Sequence, residues 1–327
     1  MNCTRITRLL PVCLVICFIA AESAFAIETI RVAYPSMNTS VFCLMIAQKE
    51  GYLKEEGLEV QLLSIRGEIA IRTVLAGEVD FFTNAGSALA AAVRAVPVKI
   101  VTIFQDKPGW DLIAQPEIKS ISQLRGKTIA IMSPEGSLAI VAREILRANG
   151  IDPAKDVNLV VMGGDAIRFP ALQTKAIQAT LFNTGMSIQA QKEGFTKLAA
   201  ASDYANLIEG GLATANDKIK QSPEKIFRFI RAAVKGISYF ANKRESATKY
   251  MMEALRMKDR ELANAIYDLY SKLILREGFS DDKVLQAMID EMKKSTKVQR
   301  DIKIGDVFDL SFVKKANEEL KTAGWKP

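Results

Sequence analysis

The chain has 327 residues, 49% of them hydrophobic and 25% charged, a globular balance that excludes a disordered or fibrous protein. Its net charge of +7 is interleaved with acids, as where Lys314-Lys315 precedes Glu318-Glu319, which is the pattern of a solvated helical face and not of a nucleic-acid patch. There is no histidine, so Ser-His-Asp and Cys-His nucleophile pairs, His-ligated zinc and imidazole bases are excluded together.

Arg5 and Arg8 precede a short apolar stretch from Leu9 to Ala21, broken by Pro11, and Ala24-Phe25-Ala26 supplies a small-x-small cleavage pattern. Residues 1–26 therefore read as a signal peptide, too short for the ~20 apolar residues of a spanning helix. Cys13 and Cys17 follow Val12 and Ile16, where a lipid-anchored protein would carry a small residue. The expected mature chain starts near Ile27, keeps 301 residues and a net charge of +6, and retains only Cys43 of the four cysteines. No intrachain disulfide or cysteine cluster can form, and Cys43, between Phe42 and Leu44, reads as a core thiol.

After Ile27 strand patterns alternate with amphipathic helices, which predicts an α/β fold. Thr29–Tyr34 reads as a strand, Thr39-Ser40 as the cap of a helix stopped by Gly51, Leu58–Ile65 as a strand and Ile69–Ala76 as a helix. Strand Val79–Thr83, helix Gly86–Ala95 and strand Val98–Phe104 follow. The middle of the chain repeats the theme with strand Thr128–Met132 and a helix from Ser137 ending at Gly150. Further strands read at Val157–Met162, Ala179–Phe182 and Lys197–Ala200. From Ser222 the pattern is helical only: Ser222-Pro223-Glu224 reads as a helix start and Ser280 as a later cap. Ile226, Ile230, Val234 and Ile237 form one buried stripe, and Val284, Leu285, Met288, Ile289 and Met292 another.

One segment has an echo. Thr73 to Gly86 and Ala171 to Gly185 each read as a helix end, a tight turn, a buried strand and then Asn-x-Gly, at Asn84 and Asn183. The physical reading is two lobes with equivalent βα units.

Ala47-Gln-Lys-Glu-Gly-Tyr-Leu-Lys-Glu-Glu-Gly-Leu-Glu-Val60, Leu75-Ala-Gly-Glu-Val-Asp-Phe81 and Ser122-Gln-Leu-Arg-Gly-Lys-Thr-Ile-Ala-Ile131, with Gly136-Ser137 and Gly150-Ile-Asp-Pro153 downstream, form an ordered set from about Ile30 to Asp309. It resembles the solute-binding proteins of nitrate, sulfonate and thiamine-precursor importers, the SsuA/THI5-like or NMT1 family. Lys175 and Gln178 depart from the Gly and Asp of many relatives. The resemblance implies a type II periplasmic-binding-protein fold: two α/β lobes, hinge crossovers near Gln105–Asp111 and Ala201–Leu207, and a helical C-terminal extension. Lobe one is expected to span residues 27–113 and 208–327, and lobe two residues 114–207. It also implies a monomer in the periplasm that partners an ABC-transporter permease, with no catalysis, no cofactor and no metal.

In such sheets ligands sit beyond the strands' carboxyl ends, where unpaired helix N–H groups solvate an anion or a carbonyl oxygen. This rule selects Asn38, Thr39, Arg66, Asn84, Ser87, Ser137, Asp165 and Asn183 as candidate ligand residues, with Trp110 stacking on ligand or covering the hinge. Thr39, Ser87 and Ser137 also suit plain helix caps, and Gly163-Gly164 lacks the spacing of a dinucleotide fingerprint. Ligand charge stays open. Arg66 and the helix ends suit a sulfonate, carboxylate or nitrate-like anion, whereas Glu68, Glu135 and Asp165 suit an amine, an aminopyrimidine or a flavin-type ring. The rival of another class is a pyrimidine-precursor synthase that consumes its own histidine and uses pyridoxal phosphate, which a chain without histidine cannot do.

Overall fold

The computed structural model describes residues 27–35, 37–65, 67–132, 134 and 137–327, with backbone alone at 67 and 68; the expected signal peptide, with Cys13 and Cys17, lies outside the described residues. In chain order come β1 (Glu28–Tyr34), α1 (Thr39–Lys49), α2 (Tyr52–Glu55), β2 (Leu58–Ser64), α3 (Gly67–Leu75), β3 (Phe81–Phe82), α4 (Ala85–Val93) and β4 (Val98–Gln105). Next are β5 (Trp110–Ala114), β6 (Thr128–Ile131), α5 (Ser137–Ala148), β7 (Asn158–Val161), α6 (Asp165–Gln173), β8 (Ala179–Asn183), α7 (Thr184–Lys192) and β9 (Thr196–Ala200). The chain ends through β10 (Gly210–Ala215), α8 (Asn216–Gln221), α9 (Pro223–Asn242), α10 (Arg244–Leu255), α11 (Arg260–Leu273), α12 (Asp282–Thr296), α13 (Ile304–Val307) and α14 (Ser311–Thr322).

The strands form two five-stranded sheets of the same design, β2-β1-β3-β10-β4 and β7-β6-β8-β5-β9. In each, a parallel trio (β2, β1, β3 or β7, β6, β8) is followed by an antiparallel strand, β10 or β5. That antiparallel strand is the one by which the chain enters the sheet from the other. Sheet membership changes between Gln105 and Trp110, ahead of the expected boundary at 113–114, and changes back between Ala200 and Gly210.

Neither entering strand shows itself in the sequence. The β10 segment, Gly-Gly-Leu-Ala-Thr-Ala, carries little β propensity. Close packing explains its composition: a Cβ on Gly211 would lie 2.6 Å from the Thr102 carbonyl oxygen and 2.8 Å from Ala85 Cβ. Conversely, the strand expected at Val79–Thr83 reduces to Phe81–Phe82.

Both faces of the second sheet are covered, and the two-residue strand period sorts its side chains. Leu112, Ile129 and Leu181 point into one core with α5, while Ile113, Ala130 and Phe182 point into another with Phe169 and Leu172 of α6. The first sheet shares a single larger core with the C-terminal helices, α9 foremost. Ile226, Ile230, Val234 and Ile237 of α9 are all buried, at about 1.5–3 kcal/mol of stabilisation per aliphatic side chain removed from water. Pro223 opens α9 as expected, but the Ser222 side chain makes no capping bond. The cap of α12 is Asp281, which accepts from Val284 N at 2.9 Å, while the Ser280 hydroxyl is turned to Asp106. Among the described residues no helix is long and apolar enough to cross a membrane.

Candidate functional site

The echo between residues 73–86 and 171–185 is one βα unit built twice. Gly77 and Lys175 hold the same left-handed turn, at φ +75° and +61°. Three residues later, Asp80 bonds the Arg31 main chain twice: its N–H donates to Arg31 O at 2.8 Å and its carboxylate accepts from Arg31 N at 2.9 Å. Gln178 repeats the pair on Thr128, at 2.9 and 3.0 Å, so the amide replaces the acid without loss of the turn. Beyond each strand an asparagine caps the next helix. Asn84 Oδ1 accepts from Ser87 N and Asn183 Oδ1 from Met186 N, both at 3.1 Å.

Each of these turns packs against the other lobe. A Cβ on Gly86 would stand 3.5 Å from Ser137 Oγ, at the start of α5 in the second sheet's lobe, and 3.1 Å from the Ile208 carbonyl. A Cβ on Gly185 would stand 3.4 Å from Ile266 Cδ1 on α11. The helix N-termini that follow β3 and β6 therefore meet where the lobes touch, and the one that follows β8 meets α11.

The candidate residues divide by what their polar atoms already do. Asn38, not Thr39-Ser40, caps α1, with Oδ1 accepting from Val41 N at 3.2 Å. Thr39 is buried and its hydroxyl donates to Gln105 Oε1 at 3.0 Å, which removes it from ligand reach. Ser87 is half-buried, and only its backbone serves the Asn84 cap. Ser137 is the first residue of α5, half-buried. Trp110 starts β5 opposite Asn183, half-buried beside the crossover. Arg66 and Glu135 lie outside the described residues, as does the side chain of Glu68.

Asp165 is held from two sides. It opens α6, and its carboxylate accepts from the Arg168 guanidinium and from Asn183 Nδ2. Arg168 is 1% exposed and also donates to Thr180 Oγ1 at 3.0 Å and Leu181 O at 2.9 Å. Burial raises the Asp165 carboxyl above its ordinary range, against the opposing pull of Arg168 and Asn183. Burial likewise lowers Arg168, offset by Asp165.

A second polar cluster, unread in the sequence, joins the two crossovers. Glu209 accepts from Gly109 N at 2.5 Å and from Gln105 Nε2 at 3.0 Å. Burial pushes its carboxyl up to about 7, against the stabilising bond from Gly109. Thr184 Oγ1 donates to Gly109 O at 3.1 Å. The phenol of Tyr270, on α11, is pushed up by burial first and then by the Glu209 charge. Neither Arg168 nor Glu209 carries a sequence signal, because a buried, bonded charge is spelled like a surface one; Asp165 and Arg168 at i, i+3 are the nearest thing to a clue. Cys43 is buried and its thiol is raised by that burial, which leaves it unreactive. Among the described residues no three His, Cys, Asp or Glu side chains stand together as metal ligands.

The family model described as NMT1/THI5 like matches residues 38–247. A riboflavin-binding protein, RibY, of Chloroflexus aurantiacus is 27% identical over 59% of this chain and 56% of its own length, so the match spans little more than half of that relative. A putative aliphatic sulfonates-binding protein of Bacillus subtilis is 22% identical over 88% of this chain and 89% of its own. A 4-amino-5-hydroxymethyl-2-methylpyrimidine phosphate synthase of Legionella pneumophila is 24% identical over 64% and 68%. Among solved structures, the periplasmic sulfonate-binding protein SsuA of Methylobacillus flagellatus superposes with a TM-score of 0.71 at 17% identity, over 92% of this chain and 97% of that one. The periplasmic-binding-protein fold expected from the sequence is thus the fold observed.

Proposed function

The chain belongs to the NMT1/THI5-like family, and from that premise we propose that it is the substrate-binding component of an ATP-driven import system. It holds a small organic or oxyanion solute between two lobes and hands it to a membrane permease. The observation that carries this reading is the twice-built βα unit, whose Asn84 and Asn183 turns each pack against the other lobe. Helix N-termini at such strand ends supply N–H groups for a solute.

On this reading lobe one is residues 27–105 and 210–327, lobe two is residues 110–200, and the segments between them are the hinges. Asn38, Asn84, Ser87, Trp110, Ser137, Asp165 and Asn183 line the cleft. Residues 1–26 direct the chain to the periplasm, where it acts as a monomer. The sequence likeness to a pyrimidine phosphate synthase does not extend to catalysis, since a chain without histidine cannot donate one.

Native mass spectrometry of protein taken from periplasm, with a thermal-shift screen of sulfonates, nitrate, pyrimidines and flavins, tests the reading. A ligand at ~100 times its Kd adds about 2.7 kcal/mol of stability. Protein that carries no small molecule and gains no stability from any compound would sink it.

A further inference from the structure

We propose, resting on the transport reading above, that the solute is an uncharged or cationic organic molecule with an apolar body, which donates a hydrogen bond to the Asp165 carboxylate. Small inorganic anions are then poor ligands.

The carboxylate is the better-built half of the argument. Each Asp165 oxygen receives one bond, from Arg168 and from Asn183 respectively. A carboxylate has about four acceptor positions, so roughly two remain for a ligand. The guanidinium that fixes it cannot itself meet an anion. Arg168 is 1% exposed, with one terminal nitrogen bonded to Thr180 and Leu181 and the other to Asp165. Its Nε is buried with no partner among the described residues. An arginine kept in so dry a place, with one donor unmet, holds the acid in position. An anion approaching this end of the cleft meets like charge, whereas an N–H donor meets a charge-assisted acceptor.

The apolar surface is the second observation. Among the described residues six large apolar side chains are exposed: Ile27, Ile69, Leu75, Met132, Val161 and Ile167. Four of these gather at strand carboxyl ends. Val161 ends β7, Met132 directly follows β6, and Ile69 and Ile167 are the third residues of α3 and α6. Ile69 and Ile167 occupy equivalent places in the two lobes, each eight residues before the left-handed turn residue, Gly77 or Lys175. Exposed apolar side chains at strand carboxyl ends, where α/β sheets take their ligands, mark a surface that a ligand covers.

Isothermal titration with four probes tests this: riboflavin and 4-aminopyrimidine as ring donors, ethanesulfonate and nitrate as anions. At least one ring probe is expected to bind the wild-type protein saturably, and the anions are not. Asp165→Asn is expected to weaken that binding at least tenfold. Ile167→Ser, at an exposed position, is expected to weaken it several-fold without changing the melting of the ligand-free protein, and it decides the matter if Asp165→Asn does not fold. Binding of an anion with neither ring bound, or ring binding indifferent to both substitutions, overturns the proposal while leaving the transport reading intact. Failure of all four probes also overturns it; the transport reading falls separately, if periplasmic protein carries no small molecule.

Discussion

Glu209 stands where the two crossover segments meet, its carboxylate accepting from Gly109 and Gln105. Its carboxyl is raised from 4.5 to about 7 by burial. The folded state therefore binds this proton more tightly than the unfolded one. The associated stability is fully present below about pH 4.5 and is lost as pH rises through about 7. The loss is at most about 3 kcal/mol. Asp165, also raised by burial, adds to the slope in the same direction. Glu209→Gln is expected to flatten most of the slope in thermal melts between pH 4.5 and 8, even if the amide lowers stability at every pH. A slope equal to wild type would assign the titration to another group. Residues of this kind were illegible in the sequence, because burial and not residue type gives Glu209 and Arg168 their roles. Asn84 and Asn183 were legible as equivalent strand-end positions, but their capping of α4 and α7 was not, since the caps were expected at Ser87 and its like. Lys175 marks the limit of such reading. The family's glycine is missing, yet the lysine adopts the same positive φ as Gly77, at a conformational cost of roughly 1–2 kcal/mol carried by the surrounding turn.

At the scale of elements, periodicity located the strands and helices whose faces are sorted by burial, and failed for β5 and β10. For β10, which enters beside β3 and β4, close approach at Gly210 and Gly211 dictates the residues more than β propensity does. The same rule operates between α1 and α9. Gly236 of α9 lies against Cys43, and a Cβ there would overlap the Cys43 carbonyl oxygen. Alanine would gain about 0.5–1 kcal/mol of helix propensity over glycine. Overpacking against rigid backbone costs ~1–3 kcal/mol or more and wins. Gly236→Ala is therefore expected to lower the urea midpoint by an amount worth about 2 kcal/mol, because α9 must lift away from α1. Gly305→Ala, with open space around its Cβ position, serves as the control. An unchanged midpoint for Gly236→Ala would contradict the packing argument.

At the scale of the whole molecule, the echo in the sequence announced two lobes, but nothing in it told how they touch. They meet at Gly86 against Ser137, at Gly185 against Ile266, and through Lys192 of α7, which pairs with Asp259 before α11 at 3.6 Å. Both partners of that pair are more than half exposed, so it is worth only ~0–1 kcal/mol. Its position between lobes still gives it leverage, because apparent affinity scales with the fraction of molecules in the binding-competent arrangement. Lys192→Gln removes the attraction and is expected to lower affinity for a transported solute no more than about twofold. Lys192→Glu sets two acids face to face and is expected to lower it up to about fivefold, the equivalent of ~1 kcal/mol. Asp259 is the wrong partner to change, since its side chain also caps α11 by accepting from Leu262 N at 2.9 Å. Salt provides the internal check. At 1 M the Debye length falls to about 3 Å, so the Lys192→Glu deficit should largely vanish there. A deficit that persists unchanged in high salt would mean that Lys192 acts through the packing of α7 and not through charge between the lobes.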